Sequence, residues 1–312
     1  MKVTLGTDPE VFVSDGDKII PADWVVPPKD KAMALPSGAK IFFDGIGLEL
    51  NVAPTDTPTS FARAVMLAKK EAEAYLVKKG YKMVVLPAVP IALDTIKRAH
   101  KDAQIFGCDP DQVVYEMGKL RKPTVDARNH PWRYAGGHIH VGLPSLLPGL
   151  HSCGEKTIYT NSFDGWKCSK CKAQADMSAL MRVIVALDLL GGEKLLAVER
   201  GVQDSWRRRK YYGVPGSFRF QPWGVEWRFP SNLWLRSEDE ARMMGEMAMK
   251  AAELSAALPA LLKIPGTREA ISNFRTSLTD MALTDRTFDW VREEGERICA
   301  VLAELSNSKA TQ

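Results

Sequence analysis

Gly136-Gly137-His138-Ile139-His140-Val141-Gly142 places two imidazoles one residue apart. Side chains two apart in an extended strand share a face. His138 and His140 therefore point one way, and Ile139 and Val141 point the other. The flanking glycines let a backbone or a ligand come close. The same device recurs in Asp8-Pro9-Glu10, Glu49-Leu50-Asn51 and Glu226-Trp227-Arg228. A half-buried antiparallel strand alternates polar and apolar residues simply to be solvated on one side, and that explains any single pair about as well as a ligand does. It explains the set less well. Solvated faces favour Lys, Thr, Ser and Glu, whereas this set has carboxylates, imidazoles and one guanidinium beside glycines. The set predicts a lined cavity. Carboxylates side by side raise each other's pKa unless a cation intervenes, and a hard divalent ion is the natural remedy.

A second group of residues suits a softer metal. His151-Ser152-Cys153 is followed by Cys168-Ser169-Lys170-Cys171, and Cys-x2-Cys is zinc spacing. A matching first knuckle needs a cysteine at 150, where Leu150 stands, so His151 is the expected fourth ligand. A structural zinc on His151, Cys153, Cys168 and Cys171 would staple an insertion at 150–173 that is too small for a core of its own. Cys108 has no evident partner and reads as structural.

Strands and turns must position these groups. Lys2 to Leu5 and Val11 to Val13 read as a hairpin with Ser14-Asp15-Gly16-Asp17 as its turn. Asp8-Pro9 is also a turn signal. Residues 27–38 read as a surface loop and 39–53 as a strand, with Gly45 and Gly47 marking a bulge or close approach. Asp44 shares a face with Glu49 only if that bulge exists, so Glu49 is the stronger candidate. Met83 to Val89 is a further strand, and Arg121 to Tyr134 is basic and irregular. Ser217 to Phe220 and Val225 to Phe229 read as a hairpin around Pro222-Trp223-Gly224. It follows a basic, aromatic loop, Asp204 to Gly213. Arginine grips phosphate or carboxylate in a planar, bidentate way. Arg207, Arg209 and Arg219 fall near the cavity mouth and Arg228 inside it, while Arg208 and Lys210 read as solvated.

The helices read as packing. Thr57 caps one that runs to about Lys79 and stops at Gly80, and Asp94 can cap a short one. Asp176 opens another, Met177 to Leu190, with Gly191-Gly192 as its stop. It is apolar nearly all round and so buried. Asp188 within it needs a partner, expected to be an arginine from the next segment. Ser237 and Glu240 form a capping box for a helix to about Leu258. Pro265-Gly266 breaks the chain before a last helical region, 268–305, interrupted near Thr284. The helices of 237–305 belong to the same single domain, 1–312.

Composition narrows the classes. Basic and acidic residues number 42 and 38, too balanced for nucleic-acid binding on charge alone. No apolar run reaches a membrane span, and the N-terminus lacks a signal peptide's apolar core, so a cytoplasmic protein is expected. Five cysteines, three of them clustered, suit a reduced compartment with a metal site. No Walker or dinucleotide glycine loop is present, so any nucleotide must be held by strands, arginines and metal.

Read in order, Gly-x-Asp-Pro-Glu, Asp-Gly-x3-Glu-x-Asn, Gly-Gly-His-Ile-His-x-Gly, Tyr-Gly-x-Pro-Gly-Ser-Phe-Arg and Val-Glu-Trp-Arg-x-Pro-Ser-Asn resemble the phage phiEco32-like carboxylate–amine ligases of type 2. Those belong to the glutamine synthetase and glutamate–cysteine ligase superfamily. The resemblance covers most of residues 1–236, and not the cysteine-bearing insertion or the C-terminal helices. It implies an α+β fold in which a curved antiparallel sheet forms a funnel. ATP would enter from one side and the substrates from the other, with magnesium or manganese between them. Glu10 and Glu49 would hold the ion beside the carboxyl substrate, and His138 and Glu226 the ion on the phosphates. His140 would lie near the nucleotide. Arg228, with Arg219 and one of Arg207 and Arg209, would steady the phosphoryl group. Asp8 takes the place of a superfamily carboxylate unless Pro9 turns it away, and Asn51 and Asp44 are outer partners. The activity implied is amide formation between a small-molecule or peptide carboxylate and an amine. It would take place in the cytoplasm, the host's if a phage encodes the chain. Relatives often assemble into homo-oligomers. Two other readings stand beside it. One is a metal-dependent hydrolase using the His-x-His strand. The other is a non-enzymatic zinc ribbon gripping nucleic acid through Arg207 to Lys210.

Overall fold

The computed structural model describes residues 2–106, 111–116, 119–121, 125–279, 293–298 and 300–305. The strands in chain order are β1 (Thr4–Thr7), β2 (Glu10–Ser14), β3 (Ile19–Ile20), β4 (Met33–Ala34), β5 (Lys40–Asp44), β6 (Gly47–Thr55), β7 (Lys82–Val84), β8 (Ala88–Pro90), β9 (Asp111–Val113), β10 (Lys119–Arg121), β11 (Trp132–Tyr134), β12 (Ile139–Gly142), β13 (Thr157–Asn161), β14 (Gly165–Cys168), β15 (Ser217–Gln221) and β16 (Gly224–Trp227). The helices include α1 (Pro58–Lys78), α2 (Leu93–Arg98), α3 (Ser178–Glu199), α4 (Gln203–Arg209), α5 (Glu238–Leu254), α6 (Leu258–Leu261) and α7 (Thr267–Thr279), and residues 293–298 and 300–305 are helical as well. The fold is mixed α+β. Twelve strands form one sheet with the central order β15-β16-β12-β1-β6-β2, and neighbours run antiparallel.

Strand alternation divides the sheet. Leu5, Leu48, Leu50, Ile139, Val141, Val225 and Trp227 lie in the main core, where α1, α3 and α5 pack on one another and on the sheet. Glu10, Glu49, His138, His140 and Glu226 occupy the opposite face. The registers keep this division strict, since Glu10 sits across from Glu49 and His140 across from Glu226. A smaller core of Phe12, Ile46, Val89, Ile91 and Ile96 covers the far part of that second face.

Several local expectations change. β1 and β2 do not pair with each other: β1 lies between β12 and β6, and the turn after Ser14 joins β2 to β3. Residues 27–38 include a 3-10 turn, Lys29–Lys31, and β4. Residues 39–53 are two strands: Asp44 pairs with Gly47 around a hairpin turn in which Gly45 has φ 54°. Asp-Gly is a hairpin signal because the turn needs left-handed backbone, and that outweighs the bulge reading. Met83 to Val89 splits into β7 and β8, which lie in different sheets. Asp94 sits in the first turn of α2, and the residue preceding that helix, Ala92, makes no side-chain cap.

Gly191-Gly192 does not end α3, which runs on to Glu199. A Cβ on Gly191 would come within 2.8 Å of the Trp227 ring, and one on Gly192 within 2.7 Å of Leu278. These glycines permit close packing rather than a stop. Asp188 accepts a hydrogen bond from the Trp227 indole at 2.7 Å and also from the Tyr115 hydroxyl and the Gly216 backbone, so its partners are neutral donors and not an arginine of the next segment. The Asp204–Gly213 loop is largely helix α4. The Thr57 cap on α1 forms as a full box, whereas on α5 only the Ser237 half forms, because the Glu240 carboxylate pairs with Arg236 instead of reaching back to the cap. α5 ends at Leu254, ahead of a short 3-10 turn and α6. Cys108 and Thr284 lie outside the described residues.

Candidate functional site

The glycines of Gly136-Gly137-His138 are required by crowding. A Cβ on Gly136 would overlap the His138 imidazole and the Tyr212 hydroxyl, and one on Gly137 would overlap the Ser231 carbonyl and the Trp234 indole. The segment is clamped to its neighbours. Glu10 N–H donates to the Gly136 carbonyl at 2.9 Å, and Gly136 N–H donates to the Glu10 carboxylate at 2.7 Å. The Trp234 indole donates to Gly137 O at 3.0 Å, and the Asn232 amide to Glu10 O at 2.8 Å.

On this frame two sets of ligand atoms converge: Asp8 with His138 and Glu226, and Glu10 with Asp44 and Glu49. Within each set the atoms lie within 4.8 Å of one another. Pro9 does not turn Asp8 away. Its Oδ1 lies 3.2 Å from His138 Nδ1 and 3.1 Å from His140 Nε2. His138 Nδ1 is also 3.4 Å from Glu226 Oε1. The Arg228 guanidinium pairs with Glu226 and donates to the Tyr212 hydroxyl at 3.0 Å. Tyr212 in turn meets His138 Nε2. Gln221 donates to the other Glu226 oxygen at 2.8 Å. Arg219 stands opposite Glu226 in the β15–β16 register, on the same face.

The electrostatics of the two sets differ. Burial would raise the Asp8 carboxyl, but His140 and His138 beside it hold it well below the usual range. Burial opposes ionisation of Glu226 as well, and Arg228 overrides it to about 2. Burial and then Arg228 push His138 down to about 4, so its imidazole is neutral at pH 7 and has a lone pair to offer. In the all-carboxylate set Arg228 and Lys29 offset burial and mutual repulsion only in part. Burial, then Asp44, raises Glu10 to about 8. Burial, then Asp8, holds Glu49 well above its ordinary value, and burial also raises Asp44. Lys29 reaches in from solvent to 3.9 Å from Glu49 Oε1, too far for a hydrogen bond, and that oxygen has no hydrogen-bond partner although Glu49 is only 4% exposed. Crowded hard oxygens with an unsatisfied acceptor fit a divalent cation.

Beside Asp8 and His140 opens a cleft of about 420 Å³, whose lining includes Asn51, Gln221 and Trp223. The Trp223 ring lies 5.0 Å from that of His140, tilted by 35°. The other arginines do not all serve the hollow. Arg209 is buried against Glu199. Arg207 lies 3.8 Å over the Trp132 ring and pairs with Asp204. Arg208, expected in solvent, is 1% exposed and donates to the carbonyls of Arg228, Phe229 and Pro230. Lys210 is exposed as expected. His151, Cys153, Cys168 and Cys171 also converge, as a separate set.

Sequence reasoning underweighted Asp44 and missed Tyr212, Lys29 and Gln221. The Asp44-Gly45 turn signal could have found the first. Tyr212 opens the Tyr-Gly-x-Pro-Gly-Ser-Phe-Arg motif, but nothing in the local sequence shows its role, and nothing marks Lys29 or Gln221. No family model and no curated protein matches the chain. Among the described residues, no helix is long and apolar enough to cross a membrane.

Proposed function

We propose that the protein is an ATP-dependent carboxylate–amine ligase of the glutamine synthetase-like kind, its large sheet serving as the funnel. The observation that carries the reading is the pair of adjoining acidic sets on one buried sheet face, with Arg228 at one and Arg219 facing the same side. The motifs that resemble the phage ligases supply these residues: Asp8, Glu10, Asp44, Glu49, His138, Arg219, Glu226 and Arg228. Glu10, Asp44 and Glu49 offer a hard oxygen set for magnesium or manganese, and Asp8, His138 and Glu226 offer a mixed set. Such ions, when bound, neutralise phosphate charge and polarise the reacting oxygens.

The chemistry follows from the residue types. A carboxylate is a poor acyl donor, so its oxygen first attacks the γ-phosphorus of ATP. The bond to the β–γ bridging oxygen breaks, and ADP leaves with the electron pair. Arg228 and Arg219 would balance the charge on the phosphoryl group in transit. The amine nitrogen then attacks the acyl carbon, inorganic phosphate leaves, and the amine proton passes to a carboxylate of the hollow. The His140–Trp223 cleft is where the nucleotide would lie. The thiol set suits zinc, apart from this chemistry.

Phosphate release from ATP and magnesium, screened over pairs of acids and amines, tests the reading. Glu10→Ala, His138→Ala and Glu226→Ala should each abolish substrate-dependent release while leaving the circular dichroism spectrum unchanged. Wild-type turnover in all three would refute it. A hydrolase would instead need no nucleotide, and calorimetry with ATP and magnesium separates the two. The nucleic-acid reading loses its basis, because Arg208 and Arg209 are buried in internal contacts and Arg207 pairs with Asp204 and Trp132.

A further inference from the structure

Among the described residues, β9 pairs with Ser217 and Phe218 of β15. The β13–β14 hairpin bonds to β15 farther along. Phe220 N–H donates to Ser162 O at 3.0 Å, and the Tyr159 hydroxyl donates to Phe220 O at 3.1 Å. The Gln112 amide donates to Phe163 O at 2.6 Å, tying the hairpin to β9 as well. The Trp166 ring meets the Phe220 ring edge-on at 6.2 Å.

One strand of the hairpin is anchored and the other is not. β14 is buried through Trp166 in the main core, whereas none of the β13 side chains is buried, and Leu150 and Ile158 are 71% and 47% exposed. An isolated two-stranded ribbon is at best marginally stable in water. At its open end the soft donors gather. His151 Nδ1 lies 3.1 Å from Cys153 Sγ and 3.7 Å from Cys171 Sγ. Cys153 Sγ lies 3.6 Å from Cys168 Sγ and 4.0 Å from Cys171 Sγ. A tetrahedral zinc with Zn–S bonds of about 2.3 Å sets its ligand atoms roughly 3.5–3.8 Å apart. A disulfide would bring two sulfurs to about 2.05 Å, and these three cysteines are unbonded. Cys171 N–H donates to Cys168 Sγ at 3.4 Å, and the chain turns away through Lys172 at φ 61°.

We propose that His151, Cys153, Cys168 and Cys171 hold one zinc ion, and that this ion fixes the hairpin as a brace against Phe220 of β15, the strand that sets Arg219 opposite Glu226. The ion ties the exposed β13 and the Cys153 turn to the core-anchored β14, and the hairpin completes the backbone hydrogen bonding of Phe220. The inference stands whether or not the protein is a ligase.

Metal analysis and hydrogen exchange on the full chain test it. The purified protein should carry about one zinc per chain, lost in Cys168→Ser and in the milder, solvent-facing Cys171→Ser. Stripping zinc from the wild-type protein with a chelator should speed exchange at the Phe220 amide by roughly tenfold or more. The amides of β1 and β12 should keep their protection. Protein purified without zinc, or carrying iron in its place, would overturn the proposal. So would zinc loss that leaves Phe220 exchange unchanged.

Discussion

Tyr212 shows how much of the site depends on one hydroxyl. It lies against His138 Nε2 and accepts a hydrogen bond from Arg228, so it sets the ring's orientation and the guanidinium's position together. For His138 to offer its Nδ1 lone pair toward Asp8 and Glu226, Nε2 must carry the proton, and the Tyr212 oxygen is there to accept it. Partners of this kind are typically worth about 10–100-fold in metal affinity. Tyr212→Phe should therefore weaken manganese binding by roughly that factor in calorimetry, with a native circular dichroism spectrum. Unchanged affinity would remove the role. His138 itself was legible in sequence because its neighbours alternate with it. Tyr212 was not, because a tyrosine in a basic, aromatic segment carries no period that points to a partner 74 residues away.

At the scale of elements, α3 and β16 meet through Asp188 and Trp227. Burial raises the Asp188 carboxyl to about 7, with the Trp227 hydrogen bond only partly opposing it. The folded state therefore holds a proton that the unfolded chain has released above pH 4, and stability falls as pH rises from about 4 to 7. Asp188→Asn keeps an acceptor for the indole and abolishes that titration. The melting temperature of the variant relative to wild type should climb between pH 5 and pH 8. A constant difference would show that Asp188 does not titrate in this range. Caps and hairpins at Thr57, Ser237 and Pro222-Trp223-Gly224 were readable because each has a local cause. Gly191-Gly192 was misread because one residue type serves both as a helix stop and as room for a ring, and only the packed neighbour decides which. Arg208 misled for a related reason: its charge is spent on three carbonyls that the fold alone brings together.

At the scale of the molecule, the hollow draws its donors from strands between Asp8 and Arg228, while the cover for the sheet's other face comes partly from later in the chain. α5 carries no site residue, yet it packs against α1, α3 and β12. Its Gly245 lies so close that an added Cβ would be 3.0 Å from the Pro58 backbone. A fragment ending at residue 236 should therefore keep every candidate ligand and lose the fold. It should bind an apolar dye and show no cooperative thermal transition, and a sharp melt would contradict this. The two-sided sheet also governs which changes of length the chain can tolerate. Each strand between Glu10 and Trp227 is legible only in one phase. Dropping a single residue between Glu49 and Val52 would turn carboxylate toward oil and leucine toward the ions, as a frameshift scrambles codons. The exposed corner at Asp15, Gly16 and Asp17 has no such phase to keep, so a tag or a label belongs there.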